Sequence, residues 1–381
     1  MKILLIDPPF YRFFNYYNRY FPLGLSYLSS TLKKAGYEVV VYDADCNKNS
    51  KGMDYTRLPE KYRIYLKELK NPKNPIIQEI SETIKKYRPD IIGITIMTPK
   101  AASAFTIASL AKQHNKECHV IVGGPHATLR SDEVLKNTRD VDFVVNGEGE
   151  SVLLELVNTL RAKRNNFGAI RGLSYRQGDT HIHNPMQSFV DNLDGLPFPD
   201  RKTLLGMDTY TSEDMGLLMG SRGCPYSCSY CATQIWTRRV RYRSLANIVE
   251  EIKYVRLHFG TRQFTFKDDS FTVNRKRVLE FCDSLLEAGL KINWDCNTRV
   301  DLIDLELLKA MKRAGCNSIK VGIESGSERI LALMDKGITL EHIHEAARLF
   351  REAGIHWTAY FMMGIPTETR EDVKKNFGFI I

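Results

Sequence analysis

The residues best suited to chemistry are three cysteines that lie within eight residues of one another. Cys224, Cys228 and Cys231 form a CxxxCxxC pattern. Three thiolates at this spacing can each bind one iron of a four-iron, four-sulfur cubane. The fourth iron then has no protein ligand, and the amino and carboxylate groups of a cosubstrate can chelate it. The pattern therefore predicts a redox cluster with one open iron.

Two alternatives exist for such a motif. Structural zinc usually takes four Cys or His ligands, often as two spaced pairs. Here a second pair is missing, because Cys282, Cys296 and Cys316 stand alone in the sequence. The other alternative is that the cysteines are grouped by coincidence. The spacing favours an iron–sulfur cluster over a zinc site and over coincidence.

The motif resembles that of the radical S-adenosylmethionine (SAM) superfamily. Tyr230, just before the last cysteine, matches the usual aromatic residue, and the resemblance implies that it packs against the adenine of SAM. It also implies that an electron from a 4Fe–4S cluster cleaves SAM to a 5′-deoxyadenosyl radical. An external donor of the flavodoxin or ferredoxin type would supply that electron. The protein would position the reacting groups and exclude water.

After residue 215 short strands alternate with helices, as at the start of a βα barrel whose chemistry gathers at the strand carboxyl ends. The superfamily's barrel has six such units, and five are predicted here. The chain stops at Ile381 inside the fifth helix without a capping signal, so we expect a truncated barrel. The predicted strands are Gly216–Met219, Gln263–Lys267, Lys291–Cys296, Ser318–Ile323 and His356–Met363.

Residues at the ends of these strands are the expected SAM contacts. By resemblance, Glu324 and Ser325 contact the ribose or methionine part, and the backbone near Ile365 contacts the adenine. Arg299 could hold the methionine carboxylate, and one of two aspartates could accept from its ammonium group. Alternatively, acid–arginine pairs knit the loops together. The full predicted set is Tyr230, Asp268, Asp269, Arg299, Gly322, Glu324, Ser325 and Ile365.

The first half of the chain predicts an α/β fold with an open, doubly wound parallel sheet. Short apolar runs alternate with helical patterns, which implies βαβ crossovers. Ligands of such sheets bind beyond the strand carboxyl ends, near a switch in strand order. The predicted strands are Lys2–Ile6, Val39–Tyr42, Asp90–Met97, His119–Val122 and Val141–Val145.

Glycines and polar residues follow several of these strands. Glycines let a backbone approach a large ligand closely, although any α/β domain also needs turn glycines. The arrangement resembles the cobalamin-binding domain found in front of many radical SAM enzymes, with cobalamin as its cofactor. The predicted contacts are Thr95, Thr98, Gly123, Gly124, Gly147 and Glu148.

The DxHxxG signature of cobalamin proteins that ligate cobalt through histidine is absent, because Asp7 is followed by Pro8 and Pro9. The lower face of cobalt would then lack a histidine. His126 is the nearby candidate, and a histidine hydrogen-bonded within a loop is the alternative. An aromatic run either lines this pocket or packs under the loop; its members are Tyr11, Phe13, Phe14, Tyr16, Tyr17, Tyr20 and Phe21.

Three regions follow along the chain, with a domain boundary near residue 200. We expect a cobalamin-binding-like domain over 1–165, a linker with a small hairpin over 166–205, and an incomplete radical SAM barrel over 206–381. The prolines at 197 and 199 favour extended backbone in the connector.

Composition narrows the class of protein. The formal charge of +9 is spread along the chain except for arginines at 238, 239, 241 and 243, and no nucleic-acid motif accompanies it. That cluster could tune the iron–sulfur site, meet an acid group, or be a solvated face. No apolar run approaches the ~18 residues of a membrane span, and the start is too short for a signal peptide. We therefore expect a cytoplasmic protein with reduced or metal-bound cysteines.

The order of domains, joined by an LPFPD connector, resembles the cobalamin-dependent radical SAM family, which includes the anaerobic magnesium-protoporphyrin ester cyclase and several methyltransferases. The leading hypothesis is methylation of a small-molecule or natural-product substrate. Cyclisation, oxidation or rearrangement is the alternative within enzymes. A non-catalytic iron–sulfur sensor is a third class, and it would bind a cluster without releasing 5′-deoxyadenosine.

Overall fold

The computed structural model describes residues 1–16, 21–46 and 58–378 of the 381-residue chain. The chain divides into two compact units. The first comprises Met1–Val190 and Gly195–Asp214, and the second comprises Asp191–Asp194 and Met215–Ile381.

The first unit is built on a seven-stranded sheet in the order β2-β1-β3-β4-β5-β6-β7. The strands from β1 to β5 are parallel, and β6 and β7 continue the sheet as an antiparallel hairpin. The predicted doubly wound parallel sheet is thus confirmed, and its order reverses between β1 and β3. The strands are β1 Lys2–Asp7, β2 Glu38–Asp43, β3 Ile91–Thr95, β4 His119–Gly123, β5 Phe143–Val145, β6 Leu173–Gln177 and β7 Thr180–His183.

Helices cover this sheet on both faces, as the apolar character of its strands requires. Ile3, Leu4, Leu5 and Ile6 of β1 are all fully buried, so neither face of β1 can meet water. The helices are α1 Leu23–Lys34, α2 Leu58–Glu68, α3 Pro75–Tyr87, α4 Ala101–His114, α5 Pro125–Leu129, α6 Ser131–Asn137 and α7 Gly149–Arg161.

The second unit contains a five-stranded parallel sheet in the order β14-β13-β12-β11-β8, which matches the five predicted strands. A short antiparallel pair, β9 and β10, flanks the cysteine motif. The strands are β8 Leu217–Leu218, β9 Ser221–Arg222, β10 Arg241–Tyr242, β11 Gln263–Phe266, β12 Asn293–Arg299, β13 Cys316–Glu324 and β14 His356–Phe361.

Helices also alternate with the strands of this second sheet. Polar caps set several of their starts: Ser244, Asp304 and Thr339 each accept a backbone N–H of the first turn, which satisfies donors that the helix leaves unpaired. No helix within the described ranges is long and apolar enough to cross a membrane. The helices are α8 Leu245–Phe259, α9 Arg275–Glu287, α10 Leu305–Arg313, α11 Glu328–Leu333, α12 Leu340–Ala353 and α13 Arg370–Gly378.

The two faces of the second sheet differ in polarity. Phe266 contacts Trp294 edge-on at a centroid distance of 5.8 Å on the helix-covered face. On the opposite face, Thr265 donates a hydrogen bond to the Asp295 carboxylate at 2.7 Å. Because successive side chains alternate across a strand, a polar inner face runs beneath the strand ends.

Candidate functional site

The cysteine motif occupies the loop between β9 and β10. The loop begins at Gly223, whose φ of +97° favours glycine, and a Cβ there would lie 2.5 Å from the carbonyl oxygen of Arg239. The backbone N–H of Cys224 donates to the carbonyl of Thr237 at 3.4 Å. The loop is therefore tightly wound at its start, and glycine is needed there.

The three thiols sit on this one short loop. Cys228 is buried, and Cys224 and Cys231 are half-buried. In the described parts of the chain, no group of three or more His, Cys, Asp or Glu side chains converges as the ligands of one metal ion would. A cubane has no such requirement, because each thiolate binds its own iron. The donor set therefore fits an iron–sulfur cluster.

Arg299, at the end of β12, supports the loop. Its guanidinium lies 3.7 Å from the ring centroid of Tyr226, and its Nη1 is 4.0 Å from Cys228 Sγ. It also pairs with Asp301 at 2.8 Å and donates to the Lys336 carbonyl at 2.7 Å. Through these contacts Arg299 stabilises the neighbouring loops. This structural role is the alternative to a SAM contact that the sequence left open for Arg299.

Glu324, at the end of β13, is a buried carboxylate with two partners. Lys336 Nζ donates to Glu324 Oε1 at 2.7 Å, and the Tyr230 hydroxyl donates to the same oxygen at 3.0 Å. Burial, followed by the charge of Glu324, raises the pKa of Tyr230. Sequence reasoning missed Lys336, which follows the turn after α11 and belongs to no sequence motif.

The backbone at this strand end is strained. Glu324 has a φ of +67°, and the β13–β14 register shifts between Gly322 and Glu324. A Cβ on Gly322 would lie 2.2 Å from Glu324 Oε1, so a larger residue would displace the carboxylate. A non-glycine residue in this conformation costs on the order of 1–3 kcal/mol, and such strain concentrates at functional sites.

Asp268 and Asp269 follow β11 and have different surroundings. Asp268 is buried, and its carboxylate accepts from the Gly220 N–H at 2.8 Å and from the Ser221 hydroxyl. Burial raises the pKa of Asp268 to about 6. Asp269 is exposed, so it is the more accessible of the two to a ligand ammonium group.

Two other predicted SAM contacts lie near the carboxyl end of the sheet. Ser325 is fully buried, and its hydroxyl donates to the Asn376 side chain of α13 at 3.2 Å. Its side chain is thus occupied within the protein. Ile365 is half-buried in the loop after β14, where its carbonyl accepts from the Glu368 N–H at 2.9 Å.

In the first unit, the loops after β3 and β4 meet at the carboxyl edge of the sheet. The Ile96 N–H donates to the Gly123 carbonyl at 2.8 Å. Gly124 has a φ of +94°, and a Cβ there would lie 2.9 Å from Thr95 Oγ1. The Thr98 hydroxyl lies 3.1 Å from His126 Nδ1, so these predicted contacts form one cluster around a narrow backbone cradle.

The loop after β5 carries the remaining predicted cobalamin contacts. Gly147, with a φ of +79°, donates its N–H to the Thr128 hydroxyl at 3.0 Å. The Glu148 carboxylate accepts from the Val190 N–H at 2.7 Å. Glycines that bring the backbone close at two successive strand ends suit a large ligand at this edge.

Two members of the aromatic run pack against helix α2. Phe13 and Phe14 have ring centroids 5.3 and 6.1 Å from that of Tyr65. This packing favours the second of the two predicted roles. Tyr17 and Tyr20 lie outside the described residues.

A buried ionic cluster at the ends of β1 and β2 was not predicted. Lys100 Nζ lies 2.8 Å from Asp7 and 3.1 Å from Asp45, and the Tyr210 hydroxyl donates to Asp43. Burial, followed by the charge of Asp7, raises the pKa of Asp43 to about 7. Burial opposes the charge of Lys100, but the carboxylates outweigh it and raise the pKa of Lys100.

Two further groups differ from their appearance in the sequence. Cys296 and Cys316 are separated in the sequence, but their buried thiols are in hydrogen-bond contact. Burial, followed by the contact with Cys316, raises the pKa of Cys296 well above its ordinary value.

The arginine cluster at 238–243 has an exposed part and a buried part, since residues 238 and 239 are exposed and residues 241 and 243 are buried. Arg243 pairs with buried Glu251 at 2.6 Å.

Comparisons with known proteins agree with this architecture. The profile described as the Radical SAM superfamily matches residues 218–380, and that of the B12 binding domain matches residues 13–157. The chain therefore belongs to the radical SAM superfamily and carries a B12-binding domain ahead of its radical SAM domain. The predicted family is confirmed, and the predicted cofactors (4Fe–4S cluster, SAM and cobalamin) are those of these two domain families.

Curated relatives include a methyltransferase and a cyclase. An uncharacterized methyltransferase of Pyrococcus horikoshii is 36% identical over 304 residues, which are 79% of this chain and 66% of that protein. The anaerobic magnesium-protoporphyrin IX monomethyl ester cyclase of Cereibacter sphaeroides is 30% identical over 368 residues, or 93% of this chain and 55% of that protein. The chain thus spans about half to two thirds of the length of these relatives.

Solved structures share the fold over nearly the whole chain. The radical S-adenosylmethionine methyltransferase TsrM of Kitasatospora setae, solved with cobalamin and a 4Fe–4S cluster, superposes with a TM-score of 0.74 at 18% identity, covering 100% of this chain and 70% of that chain. The cobalamin-dependent S-adenosylmethionine radical enzyme OxsB gives 0.75 at 22% identity, covering 99% and 51%. At these identities the likeness concerns the fold.

Proposed function

We propose that this chain is a cobalamin-dependent radical SAM methyltransferase. The observation that carries the proposal is the cysteine loop, whose Tyr230 donates a hydrogen bond to the paired Glu324 at the carboxyl end of a parallel sheet. When bound, the cluster supplies the electron that cleaves SAM, and cobalamin carries the methyl group. A B12-binding domain and a relative named as a methyltransferase support this function.

The chain's own residues would hold these groups. Cys224, Cys228 and Cys231 bind three irons, and Arg299 keeps the loop in place through its stack on Tyr226. Tyr230, Glu324 and the backbone of Gly322, Ser325 and Ile365 would surround SAM, and Asp269 would accept from its amino group. The cradle of Thr95, Thr98, Gly123, Gly124, Gly147 and Glu148 takes cobalamin.

Partners and setting follow from this chemistry. The substrate is a small molecule, and a flavodoxin- or ferredoxin-type protein donates the electron. Both cofactors require a reducing environment, which is the reason to place the protein in the cytoplasm.

The test is an anaerobic incubation of the chain reconstituted with iron, sulfide and cobalamin. Reductant and SAM with a deuterated methyl group are added, and mass spectrometry measures 5′-deoxyadenosine, S-adenosylhomocysteine and deuterium on cobalamin. Methyltransferase function predicts all three. If 5′-deoxyadenosine forms alone, a cyclase or oxidative reaction replaces methylation, and the likeness to the ester cyclase is the observation that favours this second candidate.

A variant tests the cluster ligands directly. Cys228→Ala should abolish the visible absorption of the reconstituted cluster, whereas Cys118→Ala, which removes a buried thiol of the first unit, should leave it in place. An unchanged spectrum in Cys228→Ala contradicts the assignment.

A further inference from the structure

A cleft lies at the amino edge of the sheet in the first unit. Its volume of about 510 Å³ is in the range of small-molecule sites. His119 and Phe143, the first residues of β4 and β5, line it. The proposed cobalamin cradle follows the carboxyl ends of the same two strands, and β4 alone spans about 13 Å at 3.3 Å per residue. The cleft is therefore separate from the cradle.

Aromatic rings form one wall of the cleft. The ring centroids of Phe143 and Phe167 are 4.9 Å apart, and that of Tyr175 in β6 lies 5.7 Å from Phe167. Phe143 is buried, whereas Phe167 and Tyr175 are half-buried and line the cleft. The last two rings thus keep part of their surface available, and such a wall favours a ligand with a flat, apolar part.

Three cations also line the cleft, namely Lys163, Arg164 and Arg176. The carboxylate in the lining, Asp142, already pairs with Lys112 at 2.7 Å. Throughout the part of the chain that the structure describes, no carboxylate is within ion-pair distance of the three cations. The cleft therefore carries a net positive charge that the protein itself leaves unbalanced.

The guanidinium group of Arg176 is fixed in position. It is half-buried and donates to the backbone carbonyls of Leu135, Thr138 and Val141. These acceptors carry no formal charge, so they orient the guanidinium without neutralising it. A positioned guanidinium group is a preferred partner of carboxylates and phosphates.

Lys163 occupies a position where glycine is preferred. It follows α7 with a φ of +53°. Its N–H donates to the Leu160 carbonyl at 3.0 Å, and the Arg164 N–H donates to the Thr159 carbonyl at 3.1 Å. This is the Schellman arrangement of a helix end, in which the left-handed residue is usually glycine. A lysine there is strained, and strain of this kind concentrates at functional positions.

We propose that this cleft binds an aromatic oxyanion. The phosphate or carboxylate of the ligand contacts Lys163, Arg164 and Arg176, and its ring lies against Phe167 and Tyr175. The two halves of the site thus recognise the two parts of one small molecule. This inference goes beyond the proposed function and does not depend on it.

Isothermal titration calorimetry of the full chain tests this site, with naphthyl phosphate and naphthoate as probes. Cobalamin and SAM are present throughout, so that a probe must compete for their sites. Lys163→Gln and Arg164→Gln should each weaken probe binding about threefold to tenfold, because an exposed charge-assisted hydrogen bond is partly screened. Arg161→Gln is the matched control. Arg161 is an exposed arginine of α7 that stacks on Tyr37 outside the cleft, and its loss should leave the affinity unchanged.

Inorganic phosphate supplies the second measurement. It has no ring, so it should bind more weakly than naphthyl phosphate, and equal affinity would overturn the aromatic class of ligand. The phosphate and carboxylate probes show which oxyanion the site prefers. If neither naphthyl probe binds saturably, or if Arg161→Gln weakens binding as much as Arg164→Gln does, the cations only complement the carboxyl end of α7 and the proposal is wrong.

Discussion

Both units hold carboxylates at strand ends, but they neutralise them differently. In the first unit, Asp7, Asp43 and Asp45 share one lysine, Lys100. In the second unit, Glu324 has its own lysine, Lys336. The carboxylates of the first cluster outnumber the lysine they share, and burial with mutual repulsion shifts Asp43 toward its protonated form. The second pair is balanced, because one carboxylate faces one lysine.

The comparison predicts that Lys100 is the more critical cation for stability. Lys100→Met removes the ammonium group that the three carboxylates share, and removing one member of a buried ion pair costs about 3–5 kcal/mol. All three tryptophans, at 236, 294 and 357, belong to the second unit. The urea transition seen by far-ultraviolet circular dichroism should therefore shift more than the one seen by tryptophan fluorescence.

Lys136→Met is the matched control for this experiment. Lys136 pairs with Asp132 on the surface of the same unit, and an exposed pair contributes little to stability. If Lys100→Met destabilises the first unit no more than Lys136→Met does, the buried cluster does not depend on its cation.

The second prediction concerns pH. The native state keeps the proton of Asp43 up to about pH 7, whereas the unfolded chain releases it near its ordinary value of 3.8. The unfolded chain therefore binds fewer protons in this window, and stability should fall as pH rises from about 4 to 7. Asp43→Asn removes this fall and should be more stable than the parent at pH 8, by roughly 2–4 kcal/mol at 1.36 kcal/mol per pKa unit.

Denaturation midpoints between pH 5 and pH 8 measure this effect. In Asp43→Asn the Tyr210 hydroxyl can still donate to the side-chain amide oxygen, whereas the bond from the Asp45 N–H to the second oxygen is lost, which reduces the gain in stability. Asp179→Asn, at an exposed residue paired with Arg139, should follow the parent at every pH. A slope that persists in Asp43→Asn would assign the dependence to Asp7 or another group.

The features of both candidate sites that depend on local sequence pattern could be predicted from the sequence. The CxxxCxxC spacing lies within eight residues, and alternating strands and helices fix the parallel order through crossover rules. These features need no knowledge of distant contacts. The glycines at 124 and 147 could be placed near strand ends for the same reason, because they lie one and two residues after β4 and β5.

The ionic partners could not be predicted from the sequence. Tyr230 and Glu324 are 94 positions apart, and Lys100 reaches Asp7 across 93 positions. Such pairs depend on which strands become neighbours and on side-chain packing. Arg299 illustrates the consequence, since its charge suggested a ligand contact while its neighbours Asp301 and Tyr226 occupy the guanidinium in this structure.

The third prediction tests whether Glu324 contacts SAM. Glu324→Gln removes the charge but keeps the size of the side chain, and a charge-assisted contact contributes about 1.5–3 kcal/mol. SAM binding, measured by equilibrium dialysis with the reconstituted chain, should weaken about tenfold to a hundredfold. Glu328→Gln, at an exposed position of α11, is the control. If both variants bind SAM with equal affinity, Glu324 only pairs with Lys336 and does not contact SAM.

The fourth prediction tests whether SAM can displace Lys336 from the Glu324 carboxylate. Lys336→Met should cost less stability than Lys100→Met, at or below the low end of the about 3–5 kcal/mol of a broken buried pair, because only one carboxylate loses its cation and the Tyr230 hydroxyl still donates to it. If a hydrogen-bond donor of SAM takes the place of the lysine on Glu324, saturating SAM should raise the melting temperature of Lys336→Met more than that of the parent. An equal rise in both proteins would mean that SAM binds without displacing Lys336. The ion pair between Lys336 and Glu324 would then be a structural contact that ligand binding leaves in place, like the contacts of Lys100.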